Sequence, residues 1–298
     1  MTAAPSARHM LFPLFAALIW SVNMVVTKMA ASTISPAAIG FYRWALAALL
    51  LAPFALPGVV RQWHLIRPNL WRLGVLGALG MALYQGLAYV AAATTTATNM
   101  GIITAMVPLL TIGVGTLVLR ERPAATALIG ALVSLFGLAL LLGKGDPLQL
   151  LRAGVNLGDG LMGLAALAYA LYGILLRKWS LPIGAWQSLF VQVMFGVLLQ
   201  IPTFVLAEPS PLNAQNIPLV LYAGIFPSLF APFLWMQGVR HLGPNRASLF
   251  LNLMPVGTVA IAMVALDEQP HLYHVTGGLL ALAGVSLAQW RPGRAAAV

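Results

Sequence analysis

The chain has 298 residues, of which 60% are apolar and only 7% charged. A water-soluble domain averages about 45–50% apolar and about 25% charged residues, so a soluble globular fold is excluded, and so much apolar mass excludes a disordered chain as well. The net charge of +10 does not make a nucleic-acid binder, because the 16 Lys and Arg stand singly or in pairs between apolar runs, and the absence of Cys rules out disulfides, thiol catalysis and thiolate metal sites.

Crossing the hydrocarbon core takes about 20 apolar residues per helix. Ten runs meet that requirement, at roughly 9–31, 36–57, 71–91, 97–119, 124–142, 158–178, 183–206, 216–238, 245–266 and 271–290. Backbone groups in lipid leave only helices or closed barrels, and these runs are too long and continuous for barrel strands. The first run, with Arg8 ahead of it, has features of a signal peptide, but it is long enough to span and completes the even number of spans. The expectation is an all-α membrane protein of ten transmembrane helices.

Loop charge orients the helices. With the N-terminus in the cytoplasm, twelve Lys and Arg fall in inner segments (Arg8, Arg61, Arg67, Arg72, Arg120, Arg122, Arg177, Lys178, Arg240, Arg246, Arg291, Arg294) and two in outer ones (Lys144, Arg152). Five of the six acidic residues fall outside, and Lys28 and Arg43 lie within helices. This sorting predicts a multi-pass membrane protein with both termini cytoplasmic.

The chain also repeats itself. A shift of 147 residues lays Pro108 on Pro255, Glu121 on Glu268, Pro123 on Pro270, Gly130 on Gly277 and Gly137 on Gly284. A shift of 149 lays Phe41 on Phe190, Leu49-Leu50 on Leu198-Leu199 and Pro53 on Pro202. Two five-helix repeats follow, at 1–145 and 155–291. An odd helix number forces the two into opposite orientations, and the loops agree: Arg120-Glu121-Arg122 is basic where Asp267-Glu268-Gln269 is acidic. Inverted repeats around a central cavity are the architecture of secondary transporters that work by alternating access.

These paired segments, together with Trp20-Ser21-Val22-Asn23 and Lys28 in the first helix and Phe41-Tyr42-Arg43 in the second, resemble the EamA-type branch of the drug/metabolite transporter superfamily over essentially the whole chain. Within it the likeness is to bacterial aromatic amino acid exporters. The resemblance implies ten helices, cytoplasmic termini, a central cavity and export from the cytoplasm. The second copy departs from the first at Asp267 and Gln269, where the first has Arg120 and Arg122.

Candidate site residues are the uncharged polar and aromatic side chains at mid-depth. Trp20 and Asn23 stand one turn apart, Tyr84, Gln85 and Tyr89 lie on the third helix, and Asn99 opens the fourth. Tyr169 and Tyr172 share a face of the sixth helix, Trp235 lies on the eighth and Asn252 on the ninth. Such a lining suits a flat apolar side chain through ring stacking plus a few hydrogen bonds; the bland alternative is that these residues pack helix interfaces. Trp63, Trp71, Trp179 and Trp290 fall at span boundaries, where Trp anchors to the interface.

Arg43, about 10 Å below the outer end of its helix, has two readings, a structural clamp or a contact to a substrate carboxylate or gate. Lys28 is shallow enough to snorkel. Pro108 and Pro255, expected near the centres of their helices, are candidate hinges or static kinks, and Pro227 and Pro232 break the eighth helix. No Asp, Glu or His is expected at membrane depth, which favours a facilitator over a proton-coupled carrier and argues against an enzyme or a metal site. No cofactor is expected. The expected partners are the lipid bilayer and a small-molecule substrate, an aromatic amino acid in first place, with other metabolites or cationic drugs as alternatives and with the chain acting as a monomer or homo-oligomer.

Overall fold

The computed structural model describes residues 7–30, 33–92, 94–95, 100, 103–120, 123–148, 156–265 and 271–289, and among these every regular element is helical. A 3₁₀ turn over Ala7–Met10 leads into α1 (Leu11–Ala30), followed by α2 (Pro36–Arg61). Helix α3 runs through Leu70–Gly77, a π-helical segment Ala78–Leu83 and Tyr84–Ala92. Next come α4 (Val107–Leu119), α5 (Ala125–Leu142), α6 (Leu157–Trp179) and α7 (Ala185–Leu206). Helix α8 again has a π segment, Phe226–Phe230, set between Ile217–Ile225 and Ala231–Leu242. Helix α9 joins Pro244–Ser248, a 3₁₀ turn Leu249–Asn252 and Leu253–Ala265, and α10 is Leu272–Gln289.

Local chemistry sets several of these ends. Ser35 caps α2, its hydroxyl accepting from Ala38 N–H at 3.3 Å, with Pro36 in the first turn, where a missing N–H costs nothing. Asn156 and Asp159 form a reciprocal capping box at the start of α6, and Arg177 and Lys178 in its last turn complement the helix dipole. Gly243, at φ 82°, makes the left-handed turn between α8 and Pro244 that a side chain would strain.

Helices at Arg8–Thr27, Pro36–Arg61, Ala125–Leu142, Leu157–Trp179, Ala185–Leu206 and Ile217–Leu242 are long and apolar enough to cross a membrane, and Ile103–Leu119 and Leu272–Ala288 are shorter apolar helices. Large apolar side chains stand bare on the outside, among them Phe54 and Leu117 at 80% exposure and Leu206 at 86%, which only a lipid environment tolerates over so much surface. Trp63 and Trp71 are exposed, and the Trp71 and Trp179 rings meet edge to face. This is a multi-pass helical membrane protein.

Small residues draw the helices together. Gly130 and Gly137 of α5 meet Gly284 and Gly277 of α10 backbone to backbone, and Gly77 of α3 meets the Gln192 carbonyl of α7. Such contacts carry packing where lipid removes the hydrophobic drive between helices. Helix α2 packs on α7 through a buried core that includes Trp44, Leu51, Leu189 and Val193, and α1 and α6 lie against the other half of the chain.

One positional expectation is corrected. Pro108 is not at a helix centre: it stands at the start of α4, after a break at Met106, and Pro255 is the third residue of the segment Leu253–Ala265, after a 3₁₀ turn. Proline fits a first turn because its missing N–H is an orphan there anyway, so neither residue kinks a continuous helix. Pro227 does interrupt α8, lying inside its π segment, and Pro232 follows directly after it. Asn99, Glu121, Arg122, Asp267, Glu268, Gln269 and Trp290, and the side chains of Lys28 and Tyr89, lie outside the described residues.

Candidate functional site

A cavity of about 90 Å³ opens at mid-depth between the halves. Helix α1 contributes Trp20, Asn23 and Met24, and α6 contributes Tyr169 and Tyr172. The π segments of α3 and α8 bring Gly80, Met81 and Pro227, with Tyr84 and Gln85 just beyond one and Pro232 and Trp235 beyond the other. Arg43 and Trp44 enter from α2, Thr104 and Val107 from the start of α4, and Leu251 and Met254 from α9. π-Helical turns free backbone acceptors and recur at functional sites, and here both border the same hollow.

Tyr169 sits at the hub of the aromatic lining. Its ring centroid lies 5.1 Å from Tyr84, 5.5 Å from Trp235, 5.8 Å from Tyr172 and 6.1 Å from Trp20, the last edge to face. Trp20 is fixed by its indole N–H, which donates to the Pro227 carbonyl at 3.2 Å. Arg43 is 2% exposed, and its Nε donates to Ser228 Oγ at 2.6 Å while Nη1 donates to Gln85 Oε1 at 3.4 Å. Ser228 in turn donates to the Ala223 carbonyl at 2.7 Å, a bond five residues back along the π segment. The guanidinium also lies 5.3 Å from the centre of the Trp44 ring.

Four buried polar atoms of lining residues have no hydrogen-bond partner among the described residues: Trp44 Nε1, Tyr172 Oη, Trp235 Nε1 and Asn23 Oδ1. Buried polar groups are normally satisfied, so a cluster of unsatisfied ones around a hollow marks where water or a ligand completes the set. The described lining residues include no Asp, Glu or His. No group of three or more metal-ligating side chains occurs among the described residues.

Trp20, Asn23, Tyr84, Tyr169, Tyr172 and Trp235, all singled out from the sequence, are thus brought together, and Arg43 joins them. Asn252 is not with them. It is fully buried and not among the lining residues, donating to Ser134 Oγ of α5 at 3.0 Å, because a polar side chain in a span bonds a neighbouring helix as readily as it lines a hollow. Asn99 and the Tyr89 side chain are not described, and Pro108 and Pro255 do not line the cavity. Trp44, Thr104, Met24 and Ser228 were missed from the sequence. Trp44 adjoins the deepest Arg, and Thr104 is the repeat mate of Leu251, signals that were there to follow.

The two ends of the bundle are each held by a pair of residues. At one end His9 stacks face to face on His241, ring centroids 4.3 Å apart and planes 3° from parallel. At the other, Thr95 Oγ1 donates to Asp159, which stands 8% exposed in the first turn of α6. A second hollow of about 380 Å³ near the His241 end is bordered by Arg177, Ser180, Gln237 and Arg240.

An apolar helical bundle with bare lipid-facing sides and a largely apolar, aromatic hollow with a few polar groups at its centre is built as a membrane transporter of small molecules. The EamA-like transporter family model matches residues 8–143 and again 156–289, and the chain belongs to that family. An uncharacterised transporter of Archaeoglobus fulgidus is 27% identical over 95% of this chain and 97% of its own length. The uncharacterised transporter YyaM of Bacillus subtilis is 26% identical over 84% of this chain and 83% of its own. Protein PecM of Dickeya dadantii is 28% identical over 67% of each. A protein crystal structure at 19% identity superposes with a TM-score of 0.76 over 95% of this chain and 97% of its own, a likeness of fold.

Proposed function

We propose that this transporter exports small metabolites, aromatic amino acids foremost, across a bacterial inner membrane by alternating access and as a facilitator. One observation carries the reading: six aromatic side chains converge on a central cavity whose lining residues include unpartnered polar atoms. Flat rings recognise flat rings by offset and edge contacts worth about 0.5–1.5 kcal/mol each.

The architecture proposed is ten spans in two inverted repeats, 1–145 and 155–291, with both termini cytoplasmic. The pattern of helix contacts supports it. The packing of α1 on α8 and α9 is matched by that of α6 on α3 and α4, and α2 on α8 by α7 on α3, while α2 with α7 and α5 with α10 are self-matching pairs. Both π segments fall at corresponding places. So do cavity residues: Gly80 with Pro227, Thr104 with Leu251 and Val107 with Met254 at the 147 shift, Trp20 with Tyr169 and Asn23 with Tyr172 at 149. A cavity on the axis relating two halves can open to either side at similar energy. In this orientation His9 and His241 close the cytoplasmic end, and Asp159 and Thr95 the outer one.

The test is counterflow in proteoliposomes with labelled Phe, Trp, Tyr, Thr and a lipophilic cation. Exchange of Phe and Trp is expected, without the cation; no exchange of either would remove the lead substrate. Uptake that follows an imposed proton gradient would overturn the facilitator assignment.

A further inference from the structure

We infer that the cavity recognises its ligand by the carboxylate and does not require the amine, so that aromatic monocarboxylates lacking an α-amino group bind where aromatic amino acids do, with Arg43 as the anion anchor. The inference rests on the transport reading above and narrows it.

Consider what the lining offers to each end of an amino acid. Toward a carboxylate it turns the Arg43 guanidinium and three unpartnered donors, Trp44 Nε1, Tyr172 Oη and Trp235 Nε1. Each of those three side chains is 2% exposed, so none is satisfied by bulk water. Toward an ammonium it offers two unpartnered acceptors, Asn23 Oδ1 and the Tyr172 hydroxyl oxygen that can equally donate, and no carboxylate among the described lining residues. A desolvated ammonium needs an opposite charge or several acceptors, and ring faces compensate only part of that.

The guanidinium is aimed rather than loose. Ser228 holds the Nε edge and Gln85 holds Nη1, one on α8 and the other on α3, so its plane is set by both halves of the chain at once. A guanidinium held in a fixed plane loses less freedom when it meets a carboxylate, and charge-assisted hydrogen bonds of that kind are the strong ones. Ser228 acts through Arg43 and is a positioning residue. It owes its own placement to the π segment, where its hydroxyl reaches the Ala223 carbonyl.

The experiment uses the full chain in proteoliposomes loaded with phenylalanine, and measures inhibition of labelled phenylalanine counterflow by 3-phenylpropionate, which lacks the amine, and by phenethylamine, which lacks the carboxylate. Phenylpropionate is expected to compete within about 3-fold of phenylalanine, and phenethylamine at least about 10-fold more weakly, the cost of one charge-assisted hydrogen bond. Phenethylamine matching or exceeding phenylpropionate overturns the inference. Arg43→Gln is expected to collapse the preference toward unity, and Ser228→Ala to reduce it in part; a preference unchanged in a folded Arg43→Gln protein also overturns it. If phenylalanine is not exchanged at all, the transport reading fails separately. Quenching of tryptophan fluorescence by the two analogues, in detergent-solubilised protein, then still decides between carboxylate and amine.

Discussion

Gly130 of α5 lies so close to Gly284 of α10 that a methyl group on it would come within 2.4 Å of the Gly284 carbonyl oxygen. The partner crossing repeats the motif, with Gly137 against the Gly277 carbonyl at 2.7 Å. These four residues are two repeat pairs, and each meets the mate of the other, as expected when two copies of one helix cross antiparallel about a two-fold axis. A side chain here would meet backbone and the Cβ atoms of Ala288 and Leu280, none of which can swing aside. Gly130→Ala and Gly284→Ala are each expected to lose roughly 1–3 kcal/mol, the usual cost of overpacking, seen as a lower melting temperature in detergent. Because both act on one contact, the double variant should lose less than the sum. Unchanged melting in either single variant would contradict the close crossing.

Tyr172 poses the opposite case. Its ring packs in the lining, but its hydroxyl has no partner among the described residues. Tyr172→Phe keeps the ring and removes only the unsatisfied oxygen, so stability should hold or rise slightly. A neutral hydrogen bond is worth about 0.5–1.5 kcal/mol, so apparent affinity in counterflow should fall about 2- to 10-fold if substrate supplies the missing partner. A variant that melts lower and transports as before would reassign the hydroxyl to packing.

Such contrasts explain what was legible in the sequence. Trp20, Asn23, Tyr169 and Tyr172 could be read because bulky polar aromatics at mid-span are hard to place elsewhere, and helical spacing puts each pair on one face. Asn252 misled for the same reason, since periodicity gives its depth but not whether Ser134 of another helix waits for it. The span pattern was plain from hydropathy, yet the break at Met106 and the 3₁₀ turn before Leu253 were not, because apolar residues continue through both. Ser228 was invisible: its importance comes from a π turn, and that register shift leaves no mark in composition.

The prolines after those breaks test where the helices bend. Pro108 cannot donate to the Thr104 carbonyl four residues back, which favours the turn at Met106. Pro108→Ala restores a donor and lets α4 run on from the turn at Ile103–Ala105; Pro255→Ala does the same for α9. Each is expected to raise stability by about 0.5–1.5 kcal/mol, one recovered hydrogen bond, while slowing exchange. Rates equal to the parent in both variants would show that these breaks shape the cavity without flexing.

The Gly158 end of the bundle, the outer mouth in the proposed topology, offers a way to trap one conformation. A Cβ on Gly158 would stand 2.6 Å from Thr94 Oγ1 and 2.7 Å from the Ala91 carbonyl, so the start of α6 and the end of α3 touch only because residue 158 has no side chain. His9, its repeat mate at a shift of 149, carries a full ring at the opposite mouth and is stacked on His241. The two ends of the bundle are therefore closed by different chemistry at equivalent places, a close backbone approach with the Asp159–Thr95 bond at the Gly158 end and a ring stack at the His9 end. Gly158→Val wedges only the Gly158 end, which faces outward in the proposed topology. The natural chain has no Cys, so a single Thr104→Cys substitution gives a clean thiol in the cavity lining. In right-side-out vesicles, an impermeant maleimide should label that thiol faster in the Gly158→Val background than in the parent. In inside-out vesicles labelling should slow, since one mouth opens at the expense of the other. Faster labelling from both sides would mean a loosened bundle rather than a gate, and no change from either would mean that the mouth does not open there.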